Sequence, residues 1–129
     1  MNNFEKEFVP YTEALELKQL GFDERTLQAY YKDSGQLLNI GSGNMYDIKA
    51  PLYQQAFRWF REKYVLLGFI EPANGYEDKS LFAFYICDDE QNIINDEHSY
   101  SKDSSLHFKT YEEAELACLK KLIEIVKQK

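Results

Sequence analysis

Few residues in this chain of 129 are typed and spaced for chemistry. His98 and His107, with Asp96, Glu97 and Asp103 close in sequence, are the one group that resembles a set of metal ligands. Metal sites repeat a small number of ligand spacings, and these residues match none of them, so solvated loop residues account for the group. Cys87 and Cys118 are the candidate nucleophiles. A thiol becomes reactive when a neighbouring base or cation stabilises its thiolate, yet both cysteines lie in apolar patterns with no local histidine. They read as reduced core residues. Asp88, Asp89 and Glu90 can approach Asp96 or Glu97 across a hairpin, as paired carboxylates do in acid–base catalysis, but exposed acids in turns do the same without chemistry. Gly41-Ser42-Gly43 lacks the third glycine of a dinucleotide loop and the Gly-Lys-Ser/Thr ending of a P-loop. Ser99, Ser101, Ser104 and Ser105 have no nucleophile-elbow context. No catalytic residue, cofactor or metal is expected, and the sequence leans away from an enzyme.

Charge is the more informative pattern. The net charge is −7, and between Glu71 and Glu97 stand eight acids (Glu71, Glu77, Asp78, Asp88, Asp89, Glu90, Asp96, Glu97) against one base, Lys79. That leaves 14 of the 22 acids and 14 of the 15 bases elsewhere, so the whole imbalance sits in one stretch. Phosphate backbones are bound by clustered lysine and arginine, which argues against nucleic acid. An acidic field instead suits a protein partner with a basic surface. The plainer reading is that acidic turns keep hairpin tips in solution.

Length fits a single globular domain over residues 1–129, with a core that buries about two-thirds of the unfolded surface. A hydrophobic content of 44% with 16% aromatics lies outside the disordered range. The first residues lack a basic and then apolar leader, and no apolar run reaches the ~18 residues of a membrane span. A cytoplasmic protein without membrane contact is expected. Two cysteines make no disulfide framework.

The elements that would position these residues are led by the stretch from Ala50 to Tyr64. Pro51 suits a first helical position. At 100° per residue, Trp59, Leu52, Ala56, Phe60, Tyr53, Tyr64 and Phe57 share an arc of roughly 160°, with Gln54, Gln55, Arg58, Arg61 and Glu62 outside it. Trp59 falls at the arc's edge beside Gln55 and Lys63, with Arg58 on the wet side. A partly exposed tryptophan flanked by arginine and glutamine resembles an interface anchor, and packing against a neighbouring loop leaves the same pattern.

Upstream, a helix over about 12–20 is ended by Gly21, with Leu17 and Phe22 at the two touching places of a Schellman motif; Leu15, Leu17 and Tyr11 would pack it. Residues 26–31 and 36–40 predict a hairpin around Lys32-Asp33-Ser34-Gly35, and Gly41 to Asn44 opens a loop leading to Pro51. Downstream, residues 66–71, 81–87 and 93–95 predict strands, joined by turns at Asn74-Gly75 and at 88–92. Residues 81–87 are apolar almost throughout, as fits a central strand covered on both faces or one whose second face carries a ligand or partner. Residues 96–105 read as a polar loop and 106–108 as a short last strand. Thr110 and Glu113 form a capping-box pattern that starts a final helix, whose stripe is Tyr111, Ala114, Cys118, Leu119, Leu122, Ile125 and Val126. The order α-β-β-α-β-β-β-α predicts an α+β fold, a two-layer arrangement of three helices on a twisted antiparallel sheet of about four to six strands.

Phe8-Val9-Pro10-Tyr11, Leu20-Gly21-Phe22-Asp23, the whole of 50–64, and Tyr111-Glu112-Glu113-Ala114-Glu115 together resemble a family of small proteins of uncharacterised activity from phages and Bacteroidetes. The resemblance covers both ends and the central helix and leaves residues 65–107 unmatched. It implies an accessory binder or inhibitor-like protein of phage or mobile-element type and transfers no catalytic residue.

The expectation is a non-enzymatic interaction protein whose surface includes Asp88, Asp89, Glu90, Asp96 and Glu97, with Trp59, Gln55 and Arg58 as a second patch. The alternative is a small-ligand binder or minor hydrolase with a pocket between the central helix and the sheet. A homodimer through an open sheet edge is a third arrangement.

Overall fold

The computed structural model describes residues 6–31, 35–39, 48–72, 81–90, 92–97 and 108–128. Outside them lie the turn residues Lys32 to Ser34, the Gly41–Asn44 loop, the Asn74-Gly75 turn, Glu77, Asp78 and Lys79, both histidines, Asp103 and the serines from Ser99 to Ser105.

Among the described residues the order is α1 (Tyr11–Gln19), β1 (Gln28–Tyr30), β2 (Leu37–Asn39), β3 (Ile48–Ala50), α2 (Tyr53–Tyr64), β4 (Leu67–Pro72), β5 (Phe82–Cys87), β6 (Ile93–Glu97) and α3 (Tyr111–Lys127). The fold is α+β, with three helices and antiparallel strands as expected. The strands form two three-stranded sheets, β2-β1-β3 and β4-β5-β6, where the sequence reading has one. The chain groups into two compact units, Met1–Trp59 and Phe60–Lys129.

In the first unit α1 ends as its sequence demands. Gly21 adopts φ 103, the Phe22 N–H donates to the Leu17 carbonyl at 2.9 Å, and the Gly21 N–H donates to that of Lys18 at 3.0 Å. Both bonds of a Schellman motif are present, and only glycine takes that left-handed position without steric cost. The helix buries Glu13, Ala14 and Leu17, while Leu15 is only half-buried. β1 is central, with Ala29 paired to Leu38 on one side and Lys49 on the other. β3 is a strand where the sequence reading has loop. Three residues of Ile48-Lys49-Ala50 carry little local signal, and their pairing with β1 defines them.

The segment before α1 is fastened to the start of α2. Phe8 bridges Leu52, the Val9 N–H donates to the Pro51 carbonyl at 2.8 Å, and the Tyr30 hydroxyl donates to the Val9 carbonyl at 2.8 Å. This pairing holds Pro51 and Leu52 extended, so α2 begins at Tyr53 and Pro51 is a buried residue ahead of the helix instead of its first position.

In the second unit β5 is central, and its register sets Phe69 opposite Tyr85 on β4, then Tyr85 opposite Asp96 on β6. Side chains alternate between faces along a strand, so Phe82, Phe84 and Ile86 share one face while Ala83, Tyr85 and Cys87 share the other. The first face carries α3: Phe84 and Ile86 are buried, and the Tyr111 ring meets that of Phe82 edge-on at 6.0 Å. Ala114, Cys118, Leu119, Leu122, Ile123 and Val126 form the helix's buried stripe, each fully buried leucine contributing roughly 1.5–3 kcal/mol. Tyr111 is exposed and Ile125 half-buried, so the stripe is rotated slightly from its expected centre. Thr110 caps α3, its hydroxyl accepting the Glu113 N–H at 3.0 Å. Glu113 reaches back to the Lys109 N–H at 3.3 Å, one residue before the usual partner in a capping box. Phe108 pairs with Phe82 through two backbone hydrogen bonds, the described remnant of the expected last strand. Val65, just after α2, holds φ 54, a conformation rarely taken by a β-branched residue.

Candidate interaction surface

The two patches expected from sequence fare differently. Trp59 is 5% exposed, so it is no interface anchor. Its indole meets the Phe22 ring edge-on at 5.5 Å, and the chain after the Schellman turn closes over it. Gln55 and Arg58 serve the same closure. The Gln55 amide donates to the Arg25 carbonyl at 2.8 Å and to the Glu24 carboxylate at 3.2 Å, and Arg58 stands 3.6 Å from that carboxylate. Lys49 adds a bond from its ammonium to the Asp23 carbonyl at 2.6 Å. The polar residues around Trp59 thus tie residues 23–25 to the helix and strand beneath, and a solvent-facing amide or ion pair of this kind contributes well under 1 kcal/mol. The second patch is a seam of the first unit.

Of the acidic stretch, the described side chains are Glu71, half-buried on β4, and Asp88, Asp89 and Glu90 at the turn between β5 and β6. Asp88 organises the turn between β5 and β6. Its Oδ1 accepts the Asn92 N–H at 2.8 Å and the Glu90 N–H at 3.0 Å, its Oδ2 accepts the Asn92 side-chain amide at 3.4 Å, and its own N–H donates to the Asn92 carbonyl at 2.9 Å. An aspartate that accepts main-chain N–H groups in this way replaces the ladder the turn interrupts. Asp89 and Glu90 stand exposed at its tip. Asp96 and Glu97 lie farther along β6, registered opposite Tyr85 and Phe84. At about 3.3 Å per residue this sets Asp96 about 10 Å along the sheet from the turn, so the hairpin does not bring the two acidic groups opposite one another as a catalytic pair would need.

The face of the β4-β5-β6 sheet turned away from α3 was legible only as an open question about the apolar run in β5. It carries Leu67, Phe69 and Glu71 from β4, and Ala83, Tyr85 and Cys87 from β5, with Ile93 paired to Cys87. The Phe69 and Tyr85 rings stack, with centroids 4.9 Å apart and planes 20° apart. Phe69 is 40% exposed and Ile93 55% exposed, while Tyr85 and Glu71 are half-buried. Partial burial pushes the Tyr85 phenol up from its ordinary pKa, and the Glu71 carboxylate and then Cys87 add to the rise. An aromatic pair is therefore displayed beside negative charge.

Neither thiol is built for attack. Both cysteines are buried and unbridged. Burial pushes Cys118 up to about 12, the nearby Glu115 adds to the rise, and a backbone hydrogen bond from Phe69 offsets part of it. Cys87 is also raised, by burial and then by Asp88. Among the described residues no group of three or more His, Cys, Asp or Glu is placed to hold a metal ion, and no helix is long and apolar enough to cross a membrane. In comparisons with protein-family models, curated proteins and solved structures, none matches this chain.

Proposed function

We infer that this protein acts by binding another protein that presents positive charge, through the acidic sheet β4-β5-β6, in the manner of a small accessory or inhibitor-like binder. The observation that carries this reading is that six of the eight acids of the charge-bearing stretch belong to one sheet: Glu71 on β4, Asp88, Asp89 and Glu90 at the β5–β6 turn, and Asp96 and Glu97 on β6 are joined by strand pairing. A sheet with one covered face and one charged, partly apolar face suits the capture of a basic segment, because a summed field steers encounter and sets partner choice.

The reading is tested by fluorescence anisotropy with a labelled peptide of alternating lysine and threonine. Binding is expected to weaken steeply as salt is raised, and the Asp89→Lys/Glu90→Lys double variant is expected to weaken it by about tenfold or more at low salt. Asp88 is left intact because its carboxylate holds the turn. Equal binding by the variant and the parent protein overturns the reading.

A further inference from the structure

The acidic region could meet positive charge of any form, but the sheet face inside it is more selective. The row Phe69, Tyr85 and Asp96 crosses all three strands, and Glu71 follows Phe69 on the same face of β4. The Phe69 ring is supported from one side by Tyr85 and is 40% exposed, which leaves aromatic surface for a partner group. Leu67 and Ile93, the latter 55% exposed, extend an apolar strip toward the turn that carries Asp89 and Glu90.

We propose that this face binds an extended, arginine-bearing peptide segment, with a guanidinium laid against the Phe69 ring and Glu71 supplying the countercharge beside it. The proposal rests on the reading of the acidic sheet as the binding region and names the side chain it selects. Three features favour this occupant. A planar, weakly hydrated guanidinium stacks on an aromatic ring and pairs with a carboxylate at the same time, which an ammonium does less well. Strand register places Glu71 next to the Phe69–Tyr85 stack on the same face, paired with Ala83, and its carboxylate adds to the rise of the Tyr85 phenol after burial. Charge also selects against other occupants of an exposed sheet face. A second copy placed by two-fold symmetry would set acidic face against acidic face, and anionic lipid or nucleic acid would be repelled. An extended segment matches the geometry, since a sheet face presents its rows to alternate side chains of a strand-like partner.

The test compares two labelled peptides of equal charge, one alternating arginine with threonine and the other lysine with threonine, against the parent protein, Phe69→Leu and Asp89→Lys/Glu90→Lys. The arginine peptide is expected to bind the parent protein about fivefold or more tighter than the lysine peptide. Phe69→Leu, which keeps an apolar side chain and removes the ring, should erase that preference by lowering arginine-peptide affinity more than lysine-peptide affinity. The charge-reversed double variant should weaken both peptides alike. Equal affinity for the two peptides, with loss of both in the charge-reversed variant, overturns the arginine assignment while leaving the acidic-surface reading in place. Failure of both peptides to bind overturns both. Self-association by light scattering that disappears in Phe69→Leu also overturns it, in favour of a second copy. The comparison of peptides on the parent protein decides the matter even if Phe69→Leu folds poorly.

Discussion

Trp59 and Phe69 each stand beside charged residues, and the protein covers one ring and leaves the other exposed. Around Trp59 the polar groups are turned inward on the chain itself: Gln55 and Arg58 hold Glu24 and Arg25, and Phe22 covers the indole. Beside Phe69 the ring remains 40% exposed, and Glu71, two residues along the same strand face, is half-buried. A large aromatic flanked by polar side chains is therefore an ambiguous sign of an interface. The exposure of the ring itself, 5% for Trp59 against 40% for Phe69, separates the two.

The largest expected difference between the regions is in stability. Trp59→Ala removes a buried indole and leaves a cavity, and should cost about 3–5 kcal/mol in denaturant unfolding, whereas Phe69→Leu, on an exposed face, should cost about 1 kcal/mol or less. Peptide affinity measured per folded molecule should move the other way, unchanged by Trp59→Ala and reduced for arginine peptides by Phe69→Leu. A Trp59→Ala protein as stable as the parent would remove the contrast.

These differences show why the sequence revealed some features and hid others. The end of α1 and the start of α3 were readable because Leu17, Gly21 and Phe22, and then Thr110 and Glu113, form their bonds within a few residues of one another. The covering of Trp59 was not, because helical periodicity ranks a residue's angle and says nothing about Phe22, far upstream, whose ring packs on it. The division of strands into two sheets was hidden for the same reason, since β3 is defined by its pairing with β1 across an intervening hairpin strand. The acidic surface was visible as composition. The stacked pair at its centre needed the register of β4 on β5 to be seen. Glu115, buried at 8% exposure in the α3 stripe, had only a weak signal, its place between Tyr111 and Cys118 on the same helical face.

The two faces of the second sheet can be separated by pH. Under α3 the Cys118 thiol is pushed up from 9.0 to about 12 by burial and then by Glu115. The fold therefore favours the protonated thiol. Below about pH 9 both folded and unfolded chains hold that proton and the stabilisation is complete; between there and about pH 12 the unfolded chain loses it first, and stability falls by up to ~1.4 kcal/mol per pH unit. Urea midpoints taken across the alkaline range should fall less steeply in Cys118→Ala than in the parent protein. Some slope of the same sign should survive in the variant, because Tyr85, Tyr111 and Cys87 are also raised. Parallel slopes in the two proteins would show that the thiol is reached by water and that α3 does not seal this face.

The smallest effect separates two neighbouring aspartates within the acidic surface itself. Asp88 accepts two main-chain N–H groups of the β5–β6 turn, so Asp88→Ala strands donors that only water can then satisfy and should cost about 1–2 kcal/mol, in the range of a lost helix N-cap. Asp89 is exposed at the tip, and Asp89→Ala should change stability by less than ~0.5 kcal/mol. Binding should rank the reverse way at the level of charge: Asp89→Lys weakens a basic peptide without unfolding the turn, while Asp88→Asn, which keeps an oxygen to accept the same N–H groups, retains the turn and loses only one unit of field. Circular dichroism and anisotropy on the same samples separate these outcomes. If Asp88→Ala and Asp89→Ala are equally stable and equally weak in binding, the turn does not depend on its first aspartate, and the line drawn between a structural acid and a recognising one has to be redrawn farther along β6.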